Sequence, residues 1–189
     1  MPVTAAVGEL SATQTVVVNI ATETLTVEEM SLHLADGAAQ AVVTADYGQR
    51  VYRYELSAAV NGEEALLTLT APETVAGLTA RIEEDEGWLE YDGAILETGE
   101  LAPGGLTPMG AIPALLETAR SGYLDTCVLE ELGEVQALRV VSRDPEEKQG
   151  SGTETTLWFD AATHALVRGE ISQDGVCVLQ CEFSQFTKE

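Results

Sequence analysis

From Gln40 onward, apolar and polar residues alternate with a period of two along most of this chain, the pattern of strands with one buried face. Arg50–Val60 is the cleanest case. Tyr52, Tyr54, Leu56, Ala58 and Val60 fall on one side, and Arg53, Glu55 and Ser57 on the other. Gln40–Asp46 precedes it across a Tyr47-Gly48-Gln49 turn. Asn61-Gly62 supplies a two-residue hairpin turn, and Glu64–Thr70 returns with Ala65, Leu67 and Leu69 on one face. Pro72 has no N–H to give a ladder, so the strand ends or bulges there. Gly77–Glu83 follows, with Leu78, Ala80 and Ile82 inward and Thr79, Arg81 and Glu83 outward. Trp88–Tyr91 and Ala94–Thr98 flank an Asp92-Gly93 turn. Ala65–Leu101 therefore reads as an antiparallel meander with its turns written in. Pro72–Gly77 is where the sheet is expected to bend, and Glu83–Glu86 is a solvated hairpin tip.

The period then changes. Thr107-Pro108 opens a helical stretch in which Ile112, Leu115, Leu116 and Ala119 recur at i, i+3, i+4 and i+7. The spacing predicts a helix over 111–121, with Pro113 in its first turn and Gly122 as its stop. Strands resume at Cys127–Leu132, Val135–Ser142, Thr153–Asp160, Leu166–Ile171 and Val176–Phe186. On the last of these, Cys177, Leu179, Cys181 and Phe183 are expected on one face. Asp144–Gly152 is a polar loop. Upstream, Thr26-Val-Glu-Glu29 has the form of a capping box and predicts a short helix over 27–35, although Met30, Leu32 and Leu34 would also suit a strand.

The expected fold class is α+β: about nine to eleven antiparallel strands with two helices. So long a sheet must twist and curl, and two short helices cannot cover all of it. Some concave apolar surface should stay semi-exposed, which is a binding-site expectation. Residues 25–189 read as one domain, and 1–24 as an N-terminal arm or tether in which Thr15–Ile20 suits a strand.

Charge narrows the functions. Acidic residues number 32 against nine Lys and Arg, a net charge of −23. Such a surface repels phosphate backbones and anionic bilayers, so nucleic acid is excluded as a partner. No apolar run approaches the ~20 residues of a transmembrane helix. Met1–Gln49 contains no Lys or Arg and no continuous apolar core of a secretion signal. The chain is expected either to be cytoplasmic or, the favoured reading, to begin after a removed leader.

Catalytic and metal motifs are absent from the sequence. Nucleophilic triads normally need a histidine base, and His33 and His164 are expected at surface or turn positions. There is no G-x-S-x-G, H-x-x-x-H, C-x-x-C or D-x-D-x-D-G, so no cofactor or metal is expected. A hydrolase would need two of the many carboxylates to converge in a cleft. Cys177 and Cys181, ~13 Å apart at strand rise, are too far apart for a mutual disulfide. Cys127 pairing with one of them is the alternative to three small buried hydrophobes.

The runs TADYGQRVYRYEL, LTLTAPETVAGLTARI, WLEYDGAILETGEL, GLTPMGAIPALLETARSGY, TTLWFDAATHALVRGEI and DGVCVLQCEF resemble Gram-positive envelope lipoproteins related to the LolA/LppX-like lipoprotein-carrier superfamily. The likeness spans Thr44 to about Phe186. It implies a strongly curved antiparallel sheet, an open half-barrel, with helices covering the concave face. It also implies an extracytoplasmic setting, with anchoring as a lipoprotein in the full-length precursor, although no lipobox Cys stands near the start of this chain. The family supplies no catalytic residue to carry over. Two readings follow. In one, a lipid, acyl chain or lipoprotein-like ligand sits in an apolar hollow lined by Tyr52, Tyr54, Leu67, Leu69, Leu78, Ile112, Leu115 and Leu116. In the other, the same residues make a filled core, and the domain is an envelope sensor that meets a protein partner through its acidic surface.

Overall fold

The computed structural model describes residues 2–7, 10–15, 18–20, 23–25, 36–61, 64–83, 86–99 and 106–187. Two small hairpins come first: β1 (Pro2–Val7) with β2 (Leu10–Thr15), and β3 (Val18–Ile20) with β4 (Glu23–Leu25). The first meander contains β5 (Asp36–Asp46), β6 (Val51–Asn61), β7 (Glu64–Ala71), β8 (Thr79–Glu83), β9 (Glu86–Tyr91) and β10 (Ala94–Glu97). Helix α1 (Pro108–Ser121) follows. The second meander contains β11 (Leu124–Leu132), β12 (Val135–Arg143), β13 (Thr153–Asp160), β14 (Leu166–Gln173) and β15 (Val176–Thr187). The helix expected over 27–35 lies outside the described residues.

The two meanders are one sheet. β15 pairs antiparallel with β5, giving eleven strands in the order β10-β9-β8-β7-β6-β5-β15-β14-β13-β12-β11. The sheet is open, and β10 and β11, which flank α1 in sequence, stand at its opposite edges. The link between those edges is therefore free to run over a face, and α1 lies against β5, β15, β14 and β13 at the sheet's middle. Fourteen residues make a helix about 21 Å long, against a sheet roughly 48 Å wide at ordinary strand spacing. The helix covers only the centre.

The hairpin turns follow the residues that encode them. Asp92 and Gly93 both have positive φ (50° and 78°), as do Asp174 and Gly175 (51° and 77°). That conformation matches the twist of a two-residue hairpin, and Asp-Gly adopts it readily. At Pro72 β7 has ended, and Pro72–Leu78 forms a compact loop rather than a simple bend. The amides of Leu69 and Gly77 donate to the carbonyls of Leu78 and Leu69 at 2.9 and 2.8 Å, closing the loop so that Val75 and Leu78 pack on the core.

Three expectations need correction. Helix α1 begins at Pro108, not near 111. Thr107 caps it, its Oγ1 accepting from the Gly110 amide at 3.1 Å, and Pro108 takes the opening position, where an amide has no helical partner to lose. Pro113 thus lies inside the helix rather than in its first turn. Cys177 does not share a face with Cys181 in the expected way. The β14–β15 register shifts between Ile171 and Ser172, pairing Leu179 with Ile171 but Cys177 with Ser172. The extra residue, Val178, packs on the core, while Cys177 is exposed. A bulge adds one residue and reverses the alternation beyond it. All three cysteines are free, so the Cys127 disulfide alternative does not hold.

The core lies between the sheet's inner face and α1. Register brings inner-face residues into cross-strand rows such as Cys127–Val140–Leu157–Gly169–Cys181–Val43–Tyr54. Leu115 of α1 seats over the glycine of that row. At the helix exit, Ser142 Oγ of β12 donates to the Tyr123 carbonyl at 2.7 Å and pins the start of β11. On the outer face Glu130 receives Arg139 Nε at 3.1 Å and Trp158 Nε1 at 2.7 Å. The Arg168 guanidinium lies 5.1 Å from the Trp158 ring centre and bonds to Glu170 and Gln180, so a chain of charged, polar and aromatic side chains ties β11 to β15 across the sheet.

Candidate functional site

The eight residues expected to line a hollow divide into a buried group and a rim. Leu67 and Leu69 point inward from β7 and are buried, as are Ile112, Leu115 and Leu116 on the inward side of α1. The helical period puts those three on one stripe, and the strand period puts the two leucines on one face. Tyr54 and Leu78 are half-buried against the same cluster. Seven of the eight are thus brought together.

Tyr52 is the exception. It lies on the inner face of β6, paired with Ala45, but is 37% exposed. Its ring stacks on Tyr54, with centres 6.4 Å apart, and tilts against Tyr47 at 6.2 Å. Arg50 Nη1 donates to its hydroxyl at 3.4 Å. The Tyr47 hydroxyl donates to the Leu106 carbonyl at 3.2 Å, tying the β5–β6 turn to the residues that enter α1. Partial burial raises the Tyr47 pKa above the ordinary phenol value, with the neighbouring Tyr54 and Tyr52 adding to it. An aromatic cluster with polar tips therefore stands at one end of the inner face, beside the helix N-terminus. Tyrosine suits such a border, since its ring is apolar and its hydroxyl wet.

The geometry beneath α1 is tight at one point and less covered at others. Over β14 the helix and sheet touch through Leu115 and Gly169. Towards β9 and β10 the inner face continues as the row Ala58–Leu67–Ala80–Leu89–Leu96. Burial fades along it, from fully buried Leu67 and Ala80 to Leu96, which is 63% exposed. Chemically, this arrangement offers apolar contact and aromatic edges.

His164 sits in the turn between β13 and β14, as expected; His33 lies outside the described residues. Among the described residues, no group of three or more His, Cys, Asp or Glu side chains converges as metal ligands, and no helix is long and apolar enough to cross a membrane. Sequence reasoning missed a depression of about 490 Å³ on the opposite, outer face, over β7 to β10. One signal was available: Leu66, Trp88 and Ile95 occupy outward positions, out of phase with the apolar residues beside them.

The architecture is thus an open, eleven-stranded antiparallel sheet with a helix over its middle, which agrees with the half-barrel that the sequence resemblance implied. No family model matches the chain, and no curated protein matches it. Solved structures do. An uncharacterized conserved protein from Thermus thermophilus aligns over 86% of this chain and 85% of its own, at 12% identity and a TM-score of 0.53. A LolA superfamily protein from Nitrosomonas europaea aligns over 87% and 94%, at 9% identity and a TM-score of 0.48. Lipoprotein LppX from Mycobacterium tuberculosis aligns over 86% and 94%, at 16% identity and a TM-score of 0.43. At 12% identity the likeness to the Thermus thermophilus protein is one of fold alone.

Proposed function

We propose that this chain is a non-enzymatic, extracytoplasmic binding module that holds a lipid, acyl chain or lipoprotein-like apolar ligand between the curved sheet and α1. Residues 25–189 are the binding domain, and 1–24 serve as arm or tether. One observation carries the reading: among the described residues, a single helix lies over four strands of an eleven-stranded sheet whose inner face is apolar beyond it. An apolar chain entering beside the Tyr47–Tyr52–Tyr54 cluster meets Leu78, Leu67 and Leu69 on the sheet side, and Ile112, Leu115 and Leu116 on the helix side. The sequence resemblance supplies the extracytoplasmic setting and the lipoprotein anchor.

A second reading is favoured by the contact between Leu115 and Gly169, which fills the space under the helix centre. In it the core is packed throughout, and the domain acts as an envelope sensor or protein-interaction module through its acidic surface. One experiment separates the two. Native mass spectrometry of the purified protein, with solvent extraction of co-purified lipid, is expected to reveal a bound apolar molecule. A clean unliganded mass, together with no uptake of a fluorescent fatty-acid analogue, rejects the carrier reading and leaves the second.

A further inference from the structure

We infer that the outer face over β7 to β10 is a docking site for a basic protein segment that carries an apolar anchor. This concerns the face opposite the ligand reading and stands whether or not an acyl chain is held inside. Register builds the site. Across the outer face runs the row Ala38–Ala59–Leu66–Arg81–Trp88–Glu97, with Thr68–Thr79–Glu90–Ile95 beside it. Alanines at 38 and 59, next to the bulk of Leu66 and Trp88, make a trough rather than a flat face. Two depressions result, of about 490 and 280 Å³, sharing Leu66, Arg81 and Glu83. The larger has Leu66, Trp88 and Ile95 as its apolar part, and Ile95 is 68% exposed. Single exposed apolar residues are ordinary; here three share one depression, which gives a partner's apolar side chain a place to seat.

Charge identifies the occupant. Around the apolar centre stand Glu64, Glu83, Glu90 and Glu97, against one cation among the described lining residues, Arg81, which lies 3.6 Å from Glu83. With a net charge of −23 on the whole chain, a second copy, a nucleic acid or an anionic bilayer is repelled. A partner with Lys or Arg flanking a bulky apolar residue is attracted, and its anchor has a place to go. Rim charges then steer the encounter while the buried anchor holds it.

The test is isothermal titration calorimetry at low and moderate salt with a short synthetic peptide of alternating lysine and leucine. Peptides alternating lysine with serine, and glutamate with leucine, serve as controls. The lysine–leucine peptide is expected to bind, and the two controls much more weakly. The double substitution Leu66→Ser/Ile95→Ser is expected to weaken binding about tenfold or more, as loss of an anchoring contact does. Arg81→Glu, at an exposed position, is expected to tighten binding several-fold, and Val176→Ser on β15 to leave it unchanged. Equal binding of the lysine–serine peptide means general attraction to an acidic protein and overturns the inference. So does an equal loss from Val176→Ser, weakening by Arg81→Glu, or no binding at all. Capture of zwitterionic vesicles that is lost with Leu66→Ser/Ile95→Ser would assign the surface to a membrane and overturn it too.

Discussion

Leu115 of α1 and Gly169 of β14 occupy one spot: a Cβ built on the glycine would lie 2.6 Å from Leu115 Cδ1 and 2.9 Å from Cδ2. Glycine in the interior of a strand usually weakens it. Here the missing side chain lets the helix settle onto the centre of the sheet, beside the one seam where the two meanders join.

Gly169→Ala is therefore expected to lift the helix or force Leu115 off its rotamer. Leu115 is fully buried, so its methyls have nowhere to swing, and overpacking of this kind costs about 1–3 kcal/mol. Leu115→Ala alone leaves a cavity at about 2–5 kcal/mol. The double substitution should cost clearly less than the two single costs added, because the new methyl partly fills the space the leucine leaves. Urea unfolding of the four proteins measures this; simple additivity would show that the contact does not set the helix height.

Glu130 joins two neighbours through one carboxylate, taking Trp158 Nε1 on one oxygen and Arg139 Nε on the other. Trp158 is 8% exposed although it lies on the outer face. Glu130→Ala strands its indole N–H, and an unsatisfied buried donor costs about 1–3 kcal/mol. Glu130→Gln keeps an acceptor and should recover much of that. The urea unfolding midpoints of the two variants, read by tryptophan emission, check the order.

The sheet was legible because its signal is local and repeated. Alternation in Val51–Asn61 and the Asp92-Gly93 turn are decided by residues in a row, and both took the expected form. The expected helix starts about a turn late because placing Pro113 in the first turn pushes the start towards 111, whereas the Thr107 cap and Pro108 set it. Cys177 was assigned to the wrong face because a bulge at Val178 is set by the partner strand, which no local pattern reveals. Seven of the eight residues named for the hollow fall in one cluster, since burial follows periodicity. That Tyr52 stands at the rim depends on its place near the start of β6. The outer trough was invisible for a related reason: Ala38, Ala59, Leu66 and Trp88 become neighbours only through the registers of β5 to β9.

Asp125 provides a test in acid. Arg143 Nη2 donates to its Oδ1 at 2.7 Å and Thr126 to its Oδ2 at 3.0 Å, and these bonds, the arginine's first, hold its pKa below the ordinary 3.8. In the unfolded chain the carboxyl returns towards 3.8. Between the two values the unfolded state binds more protons, so stability rises with pH there and is flat above. The contribution is thus intact above pH ~4 and is lost as pH falls through the lowered folded value. Asp125→Asn should remove it. The difference in urea midpoint between wild type and variant is expected to be constant from neutral pH to pH ~4 and to shrink below. A difference that grows in acid would reverse the assignment.

The three thiols should separate by reactivity, and one of them should report unfolding. Cys177 is exposed, Cys127 half-buried and Cys181 buried. Burial raises all three pKa values, Cys181 to about 12, from an ordinary 9.0. The thiolate is the nucleophile, so Cys181 is doubly protected, by access and by charge. Iodoacetamide at mildly alkaline pH is expected to modify Cys177 first, Cys127 more slowly, and Cys181 only through opening of the β14–β15–β5 region around it. Peptide mass mapping over time gives the order, and modification of Cys181 should accelerate with urea in step with global unfolding. The same shift makes a second, independent demand. From pH 9 upward the unfolded chain gives up the Cys181 proton while the folded chain keeps it, so the unfolded state binds fewer protons and stability falls with pH. Cys181→Ala removes that limb while adding a pH-independent cavity cost. Its midpoint difference from wild type should therefore narrow between pH 9 and pH ~11. Fast labelling of Cys181 in the folded protein, or a difference that does not narrow, would mean that the row Gly169–Cys181–Val43 is open to water.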